Sequence, residues 1–400
     1  MSTRRFLLAI LVLASAAVLS AQQPAAFPVI VVFEDGVRFQ DFAGQYRADS
    51  RAAASPEAWG YLNRGVAGAV QSLERRMGFQ ADHVYSHSVQ GFSARLTARQ
   101  IQLLETDSMV KYVEADGTAS ISAQTLPWGI NRIDADLSPT ALAGNGSGAV
   151  TNVNVYVIDT GADTKHTDLN VVKHVNFAGG KNVDCNGHGT HVSGTIAAKD
   201  NTQDVVGVAP GAPITGVKVL GCSGSGSWSG VIKGIDWVTA NAKKPAIANM
   251  SLGGGANTAV DDAVKNSANS GVFYSIAAGN SGANACNYSP ARAGTQNGVL
   301  TVAATDSSDR ETSWSNYGGC VDIWGPGNAI LSTRRGGGTT TMSGTSMAAP
   351  HGGGTGALYL SGHTGASPAT VEAALKSDAS PLTNKSKDGT SIELLDASGY

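Results

Sequence analysis

Apolar and polar positions follow two different patterns along this chain, and the change falls near residue 120. Between residues 27 and 120, an apolar run, VIVVF, precedes a segment of about 58–77 whose apolar residues recur at the spacing of a helix face. The strand-like runs HVYSHSV and GFSARL follow, then a helix opened by a Thr97–Gln100 capping box, and then VKYVEAD. This β-α-β-β-α-β order predicts a small ferredoxin-like α+β unit.

Residues 121–400 carry continuous apolar runs separated by helical stretches. The runs VNVYVIDT, TGVKVL, AIANMSL, GVFYSIAAG and VLTVAAT are typical of buried parallel strands. Helical spacing occupies the intervals between them, for example residues 229–241 and 257–269. The alternation predicts an α/β fold, a doubly wound parallel sheet with helices on both faces. In such sheets, functional residues gather at the carboxyl ends of the strands.

The first residues have the pattern of an export signal. Arg4 and Arg5 precede an apolar run over residues 6–18, and small residues follow at positions 20 and 21. A membrane anchor is the alternative, but a span needs about 20 apolar residues and this run is shorter. We therefore expect a signal peptide over residues 1–21, a secreted product, and no membrane attachment once the signal is removed.

Charge and cysteine content narrow the classes of partner and compartment. The net charge is −3, only 15% of residues are charged, and no cluster of Lys and Arg indicates nucleic-acid binding. The four cysteines are Cys185, Cys222, Cys286 and Cys320. An even number in an exported chain predicts two disulfides, and spacing alone leaves all three pairings open.

Three short motifs carry the candidate chemistry. Asp159 ends the apolar strand of VYVIDTGAD, His188 lies between glycines in NGHGTHVSGTIAA, and Ser346 opens a helix of small residues in MSGTSMAAPH. Each residue alone is more typical of a turn or a helix cap. His188 with His191 could form a metal pair, but the glutamate of a zinc hydrolase helix is missing. Either histidine could act as a base, although His191 falls inside the helix and is expected to be structural.

The order Asp, His, Ser is that of subtilisin, and it differs from the orders of chymotrypsin and the α/β-hydrolases. Through VIDTG, NGHGTHVSGT, NMSLGGG, SIAAGN and SGTSMAAPH, the chain resembles the subtilases, and among them the bacterial relatives of proteinase K. The resemblance implies that Ser346 is the nucleophile, that His188 is its base and that Asp159 orients the imidazole. It also implies that Asn280 and the Ser346 N–H bind the oxyanion.

The resemblance further implies an extended substrate held between two backbone edges. Trp228 corresponds to an aromatic wall of the family's cleft, although it could instead be a core residue of the next helix. The glycines and the apolar SIAAG strand imply a roomy primary pocket, and hence broad cleavage with apolar or aromatic preference. The expected substrate-binding residues are Gly224, Ser225, Gly226, Trp228, Ser251, Leu252, Gly253, Ala277, Ala278 and Gly279.

The resemblance also implies features that support the fold. It selects the disulfides Cys185–Cys222 and Cys286–Cys320. It places a structural calcium ion on Asp322 and on the backbone oxygens of Asn297 and Val299. A second calcium site at Asp134 and Asp136 is left open.

Residues 27–120 would be a pro-domain that assists folding and then inhibits the peptidase, which occupies residues 121–400. The chain would be cut between about 117 and 123, before AQTLPWG, and the mature protein would be a monomer acting on polypeptides.

One departure from the family is the glycine-rich continuation of the Ser346 helix, GGGTGALYL. Each glycine in a helix interior destabilises it by about 1 kcal/mol relative to alanine. We therefore expect Gly352→Val and Gly353→Ala to raise the melting temperature. Two other functions are considered: a catalytically inactive subtilase fold used for binding, and an unrelated secreted serine esterase. The intact motifs argue against the first, and the Asp-His-Ser order against the second.

Overall fold

A computed structural model describes residues 25–46, 61–116 and 124–400 of the protein. The predicted signal peptide and the predicted cut between 117 and 123 lie outside the described residues. The chain divides into two units, residues 1–120 and 121–400. Among the described residues, no helix is long and apolar enough to cross a membrane.

The first unit is a four-stranded antiparallel sheet with two helices. Its strand order is β2-β3-β1-β4, as the ferredoxin-like prediction requires. Thr97 and Gln100 form the predicted capping box at the start of the second helix. Phe33, Phe92 and Leu73 are buried in the core between sheet and helices. The elements are β1 (Ala26–Phe33), α1 (Tyr61–Met77), β2 (Ala81–Tyr85), β3 (Gly91–Thr97), α2 (Ala98–Glu105) and β4 (Val110–Ala115).

The second unit is built on a nine-stranded sheet. The sheet strands are β5 (Asn154–Asp159), β6 (Val171–Asn176), β7 (Ile214–Lys218), β8 (Ala246–Met250), β10 (Phe273–Ala277), β12 (Val299–Thr305), β13 (Ile323–Pro326), β16 (Ser380–Lys385) and β17 (Ser391–Leu394). The shorter strands outside it are β9 (Gly254–Gly255), β11 (Tyr288–Ser289), β14 (Ile330–Thr333) and β15 (Thr339–Met342). The helices are α3 (Trp128–Arg132), α4 (His188–Ala197), α5 (Trp228–Asn241), α6 (Thr258–Asn269), α7 (Thr345–Gly362) and α8 (Pro368–Ser377).

The sheet order is β16-β17-β13-β12-β10-β8-β5-β7-β6, parallel except for β16, which pairs antiparallel with β17. The five predicted strands form its centre. The remaining strands escaped prediction because they lie at or near the edges, where polar residues interrupt the apolar runs, as in VVKHVN and SPLTNK. The predicted fold class is therefore confirmed, with an antiparallel edge in addition.

Helices cover both faces because successive strand residues point to opposite sides. In β5, Val155 and Val157 belong to the same hydrophobic core as residues of α4, α7 and α8, whereas Tyr156 and Ile158 belong to the core that includes residues of α5 and α6. Both residue sets are buried. The strand ends that carry the candidate chemistry are thus held from two sides by packed helices.

The glycines of α7 have different amounts of space around them. A Cβ on Gly353 would have its nearest neighbours at 3.5 Å, an ordinary contact. A Cβ on Gly352 would approach Ser275 Oγ to 2.8 Å, and one on Gly354 would approach Val208 Cβ to 2.4 Å. The expectation of a stabilising Gly352→Val is therefore wrong, because at that position glycine permits close packing of the helix on the sheet. The expectation for Gly353→Ala remains.

Candidate active site

Asp159 and His188 meet at the carboxyl end of β5. Asp159 is fully buried, and its Oδ1 accepts a hydrogen bond from His188 Nδ1 at 2.8 Å. Gly187 precedes the histidine with φ +105°, a left-handed conformation that favours glycine. A Cβ on Gly189 would lie 2.0 Å from the carbonyl oxygen of Gly161. The two flanking glycines therefore allow the imidazole to stand directly over the strand end.

The electrostatics of His188 favour its charged form. Burial alone lowers the pKa of His188, but the charge of Asp159, its hydrogen bond and the charge of Asp184 outweigh that effect, so the pKa is raised above 6.5. The side chain keeps 25% of its surface exposed, on the side that faces the cleft. The ring thus has Nδ1 bound to Asp159, while its exposed part borders the cleft.

Asp184, which sequence reasoning missed, organises the loop before His188. Its Oδ1 accepts hydrogen bonds from Thr160 Oγ1 and from the N–H groups of Asn186 and Gly187, at 2.8–3.0 Å. Its Oδ2 accepts from both the N–H and the hydroxyl of Thr190. The signal that could have found it is its place three residues before the glycine that opens the helix, where a buried carboxylate can bind several free N–H groups.

Ser346 lies in the first turn of α7 and faces the same cleft as His188. Its hydroxyl donates to the carbonyl oxygen of Ser251 at 3.1 Å rather than to His188. In turn, Ser251 Oγ donates to the carbonyl oxygen of Ser346 at 2.7 Å. These reciprocal bonds join the nucleophile candidate to one predicted substrate edge.

Asn280 is oriented by the residue before Ser346. Its Oδ1 accepts hydrogen bonds from the N–H and the hydroxyl of Thr345, each at 2.8 Å. The same hydroxyl accepts a bond from the N–H of Gly279 at 3.0 Å. Because the oxygen end is held, the amide nitrogen is left to donate beside Ser346. Thr345 is a second residue that sequence reasoning did not single out.

The predicted substrate-binding residues surround Ser346 in two adjoining cavities. The larger cavity, of about 520 Å³, is also lined by His188 and contains the expected residues Gly224, Ser225, Gly226, Trp228, Ser251, Leu252 and Gly253. The smaller, of about 220 Å³, is lined by Asn280 and contains Ala277, Ala278 and Gly279. Both cavities also include Gly254 and Gly255, the residues of β9, which follow Gly253 directly.

Trp228 bridges the two edges of the larger cavity. It opens α5 and is only partly buried, so it packs on the hydrophobic core with one side and lines the cavity with another. A Cβ on Gly254, across the cavity, would lie 2.9 Å from Trp228 Cζ2. The indole therefore lies close to β9 in the wall of this cavity.

Both predicted disulfides are present. Cys185 pairs with Cys222 and Cys286 pairs with Cys320. The first ties the loop before His188 to the segment that follows β7 and leads to the substrate edge at Gly224. Beside it, the buried ammonium of Lys218 donates to the carbonyl oxygens of Thr160 and Leu220. Burial lowers the pKa of Lys218, against the raising effect of Asp184 and Asp159.

The structure gives less support to the possible metal sites. His191 is fully buried, and its Nε2 contacts the carbonyl oxygen of Ile330 at 3.0 Å, as the structural interpretation expects. Over residues 25–46, 61–116 and 124–400, no group of three or more His, Cys, Asp or Glu side chains is arranged to hold a metal ion.

The proposed calcium ligand Asp322 already has hydrogen-bond donors on both oxygens. Its Oδ1 accepts from Lys376 Nζ at 2.7 Å and its Oδ2 from the N–H of Thr301 at 2.8 Å. A calcium ion takes 6–8 oxygen ligands, and at this position it would have to displace the Lys376 ammonium from Asp322. The residues therefore do not fit calcium at Asn297, Val299 and Asp322, and the site at Asp134 and Asp136 stays open.

Comparison with known proteins identifies two regions. Residues 151–399 match the model of the subtilase family, and residues 28–122 match that of the peptidase inhibitor I9 family. The chain is 44% identical over 334 residues to alkaline serine exoprotease A of Vibrio alginolyticus, covering 78% of this chain but 59% of that relative. It is 42% identical over 326 residues to an extracellular serine proteinase of Thermus sp. (strain Rt41A), covering 80% and 78% of the two chains.

A solved structure shows the same fold. The crystal structure of a cold adapted subtilisin-like serine proteinase aligns with a TM-score of 0.61 and 44% identity, and it covers 68% of this chain and 98% of that one. The motifs, the sheet topology and these matches agree with one another. The chain therefore belongs to the subtilase family of serine-type endopeptidases.

Proposed function

We propose that this protein is a secreted serine endopeptidase, made as a self-processing zymogen, with a broad preference for apolar and aromatic residues. The observation that carries the proposal is the 2.8 Å contact of His188 Nδ1 with buried Asp159, in a cleft that Ser346 also lines. The extracellular relative supports secretion, and the inhibitor-like region over residues 28–122 supports a zymogen.

In the proposed mechanism, the hydroxyl of Ser346 attacks the scissile carbonyl while His188 Nε2 accepts its proton. Because the hydroxyl is bonded to the Ser251 carbonyl in the free protein, it must exchange that partner for the imidazole when substrate binds. Asp159 keeps the proton on Nδ1 and stabilises the imidazolium that forms. His188 then donates the proton to the leaving amine, and water completes the hydrolysis of the acyl-enzyme.

Charge that develops on the substrate oxygen would be met by two donors. One is the Asn280 amide, whose orientation Thr345 sets, and the other is the backbone N–H of Ser346. The start of α7 adds the positive end of its helix dipole. An acyl-transfer reaction at a serine is the chemistry that this combination supports best.

Substrate selection would follow from the two cavities. An extended peptide can pair its backbone with Gly224–Gly226 and Ser251–Gly253 without regard to its side chains, which supports broad cleavage. The smaller cavity beside Ser346 is lined by Ala277, Ala278 and glycines, so it offers apolar contact to the residue before the cut.

Processing of the precursor tests the proposal. The wild-type chain, Ser346→Ala and, as a control, Ser343→Ala should be expressed in parallel. We expect the wild type and the control, whose exposed hydroxyl accepts a bond from the Ala329 N–H, to shorten by a cut near 117–123 and to digest casein. The Ser346→Ala precursor should lose only its signal peptide and keep the pro-domain.

An equal cut near 117–123 in all three precursors would exclude self-processing by Ser346. Cleavage of peptides with aromatic and with charged residues before the cut tests the preference separately. Hydrolysis of simple esters without any peptide hydrolysis would favour the esterase alternative.

A further inference from the structure

A lysine stands between two carboxylates at the place where the family resemblance puts a calcium ion. Asp322 precedes β13, Glu372 lies in α8, and Lys376 follows one helical turn later. The ammonium of Lys376 is 2.7 Å from Asp322 Oδ1 and 3.3 Å from Glu372 Oε1. The carboxylate side chains are only 8% and 9% exposed, whereas that of Lys376 is 42% exposed. The lysine thus closes the cluster on the solvent side.

The second oxygen of each carboxylate is also occupied, in both cases by a backbone N–H. Asp322 Oδ2 accepts from Thr301 at 2.8 Å, and Glu372 Oε2 accepts from Gly298 at 2.5 Å. Gly298 lies between Asn297 and Val299, the residues whose carbonyl oxygens the resemblance assigns to calcium. The turn before β12 is therefore attached directly to α8 by a hydrogen bond.

The chemistry of the occupant follows from these contacts. An ammonium has three N–H donors and no acceptor, and two of the donors of Lys376 reach the two carboxylates. A calcium ion on Asp322 would need oxygen ligands at about 2.3–2.6 Å, and the positive charge of Lys376 would repel it. A second cation at this point would have to displace the lysine.

We propose that the Lys376 ammonium replaces the calcium ion at Asp322. In this chain, the turn over residues 297–299, the start of β13 and α8 are held together by a covalently attached cation. The stability of the fold therefore does not depend on a calcium ion at Asp322, even if calcium binds elsewhere in the chain. The proposal does not depend on catalysis, so it can be tested in a chain that lacks activity.

The test uses the full chain carrying Ser346→Ala, which prevents self-digestion. Asp322→Asn, Lys376→Met and Lys385→Met are each added to this parent, and thermal unfolding is followed in EDTA and in millimolar calcium. Lys385→Met is the matched control, since it removes the same charge from an exposed lysine whose ammonium donates to the hydroxyl of Ser391 and, among the described residues, forms no ion pair. Calorimetric titration with calcium chloride counts the ions that each chain binds.

We expect Lys376→Met to lower the melting temperature in EDTA by roughly 4 °C or more, because two poorly exposed carboxylates lose their counter-ion. The rise on adding calcium should be larger for this variant than for the parent, since the vacated position can accept the metal. Lys385→Met should behave like the parent. Asp322→Asn should bind as many calcium ions as the parent and show the same calcium-induced rise.

Two results would overturn the proposal. One is the loss of a bound calcium ion, or a smaller calcium-induced rise, in Asp322→Asn, which would place the metal on Asp322 despite the lysine. The other is a Lys376→Met chain that matches Lys385→Met in both solutions.

Discussion

Two hydrogen bonds join Asn280 to Thr345, and they determine which end of the Asn280 amide faces the cleft. Oδ1 accepts from both the N–H and the hydroxyl of Thr345 at 2.8 Å, so the oxygen is turned away from the position of an oxyanion. The nitrogen end is left to donate. The orientation of this donor therefore depends on Thr345, the residue directly before the candidate nucleophile.

This relationship predicts different losses for two variants. Asn280→Ala should lower kcat by about 10²–10³ with little change in KM, the usual effect of losing one oxyanion-hole donor. Thr345→Val should lower kcat by roughly tenfold, because one of two orienting bonds is lost. Thr345→Ser retains the hydroxyl and should restore most of kcat. Steady-state kinetics on one peptide substrate measure all three, and an unchanged kcat in Asn280→Ala would contradict the assignment.

The raised pKa of His188 predicts where activity appears with pH. The proposed base must be unprotonated, so kcat/KM should rise with pH through the pKa of His188. Because Asp159 and Asp184 raise that pKa, the midpoint of the rise should lie above 6.5. Asp159→Asn removes the larger of the two raising charges and should move the midpoint of the residual activity to lower pH. A wild-type midpoint at or below 6.5 would contradict this explanation.

A buried histidine in α7 predicts loss of stability in acid. His351 is fully buried, its Nδ1 contacts the carbonyl oxygen of Met347, and burial lowers the pKa of His351 to about 4. The unfolded chain binds a proton on this histidine near pH 6.5, whereas the folded chain does not until about pH 4. The stability contributed by the neutral ring is therefore present above 6.5 and is lost as pH falls toward 4, by about 3 kcal/mol.

Paired variants test the acid effect. His363 makes the same bond to the carbonyl oxygen four residues earlier, Tyr359, but is exposed. Between pH 6.5 and 4, the free energy of unfolding should depend less on pH in His351→Gln than in the wild type. In His363→Gln it should depend on pH as strongly as in the wild type. If His351→Gln fails to fold, an NMR titration of the wild-type ring gives the pKa directly. A ring that titrates near 6.5 would contradict the prediction.

The space around the α7 glycines predicts opposite signs for neighbouring substitutions. Gly353→Ala should stabilise the fold by about 1 kcal/mol, raising the melting temperature by roughly 2–4 °C, because the new methyl meets only ordinary contacts. Gly354→Ala should lower it, because its Cβ would lie 2.4 Å from Val208 Cβ. Gly352→Val should also lower it. Scanning calorimetry of the three variants measures the signs, and equal shifts in all three would show that packing is not the determinant.

The sequence by itself determined the elements and the chemical groups. Continuous apolar runs predicted the five central strands because a buried parallel strand has no solvated face. Asp159, His188, Ser346 and Asn280 were found because each occupies a short motif at a strand end or a helix start, where the local backbone is distinctive. The order of the three motifs then identified the family without any knowledge of distances.

The tertiary structure alone decided which groups face each other. Asp184 and Lys376 lie in no motif, and Thr345 lies in one whose pattern points to Ser346. The importance of all three comes from partners that folding brings beside them. The same holds for Gly352. Helix propensity alone indicates that glycine destabilises the helix there, but the close packing against Ser275 leaves no room for a side chain. Local sequence encodes backbone preference and residue chemistry, whereas contact distances and the occupant of a charged site depend on how separate segments pack.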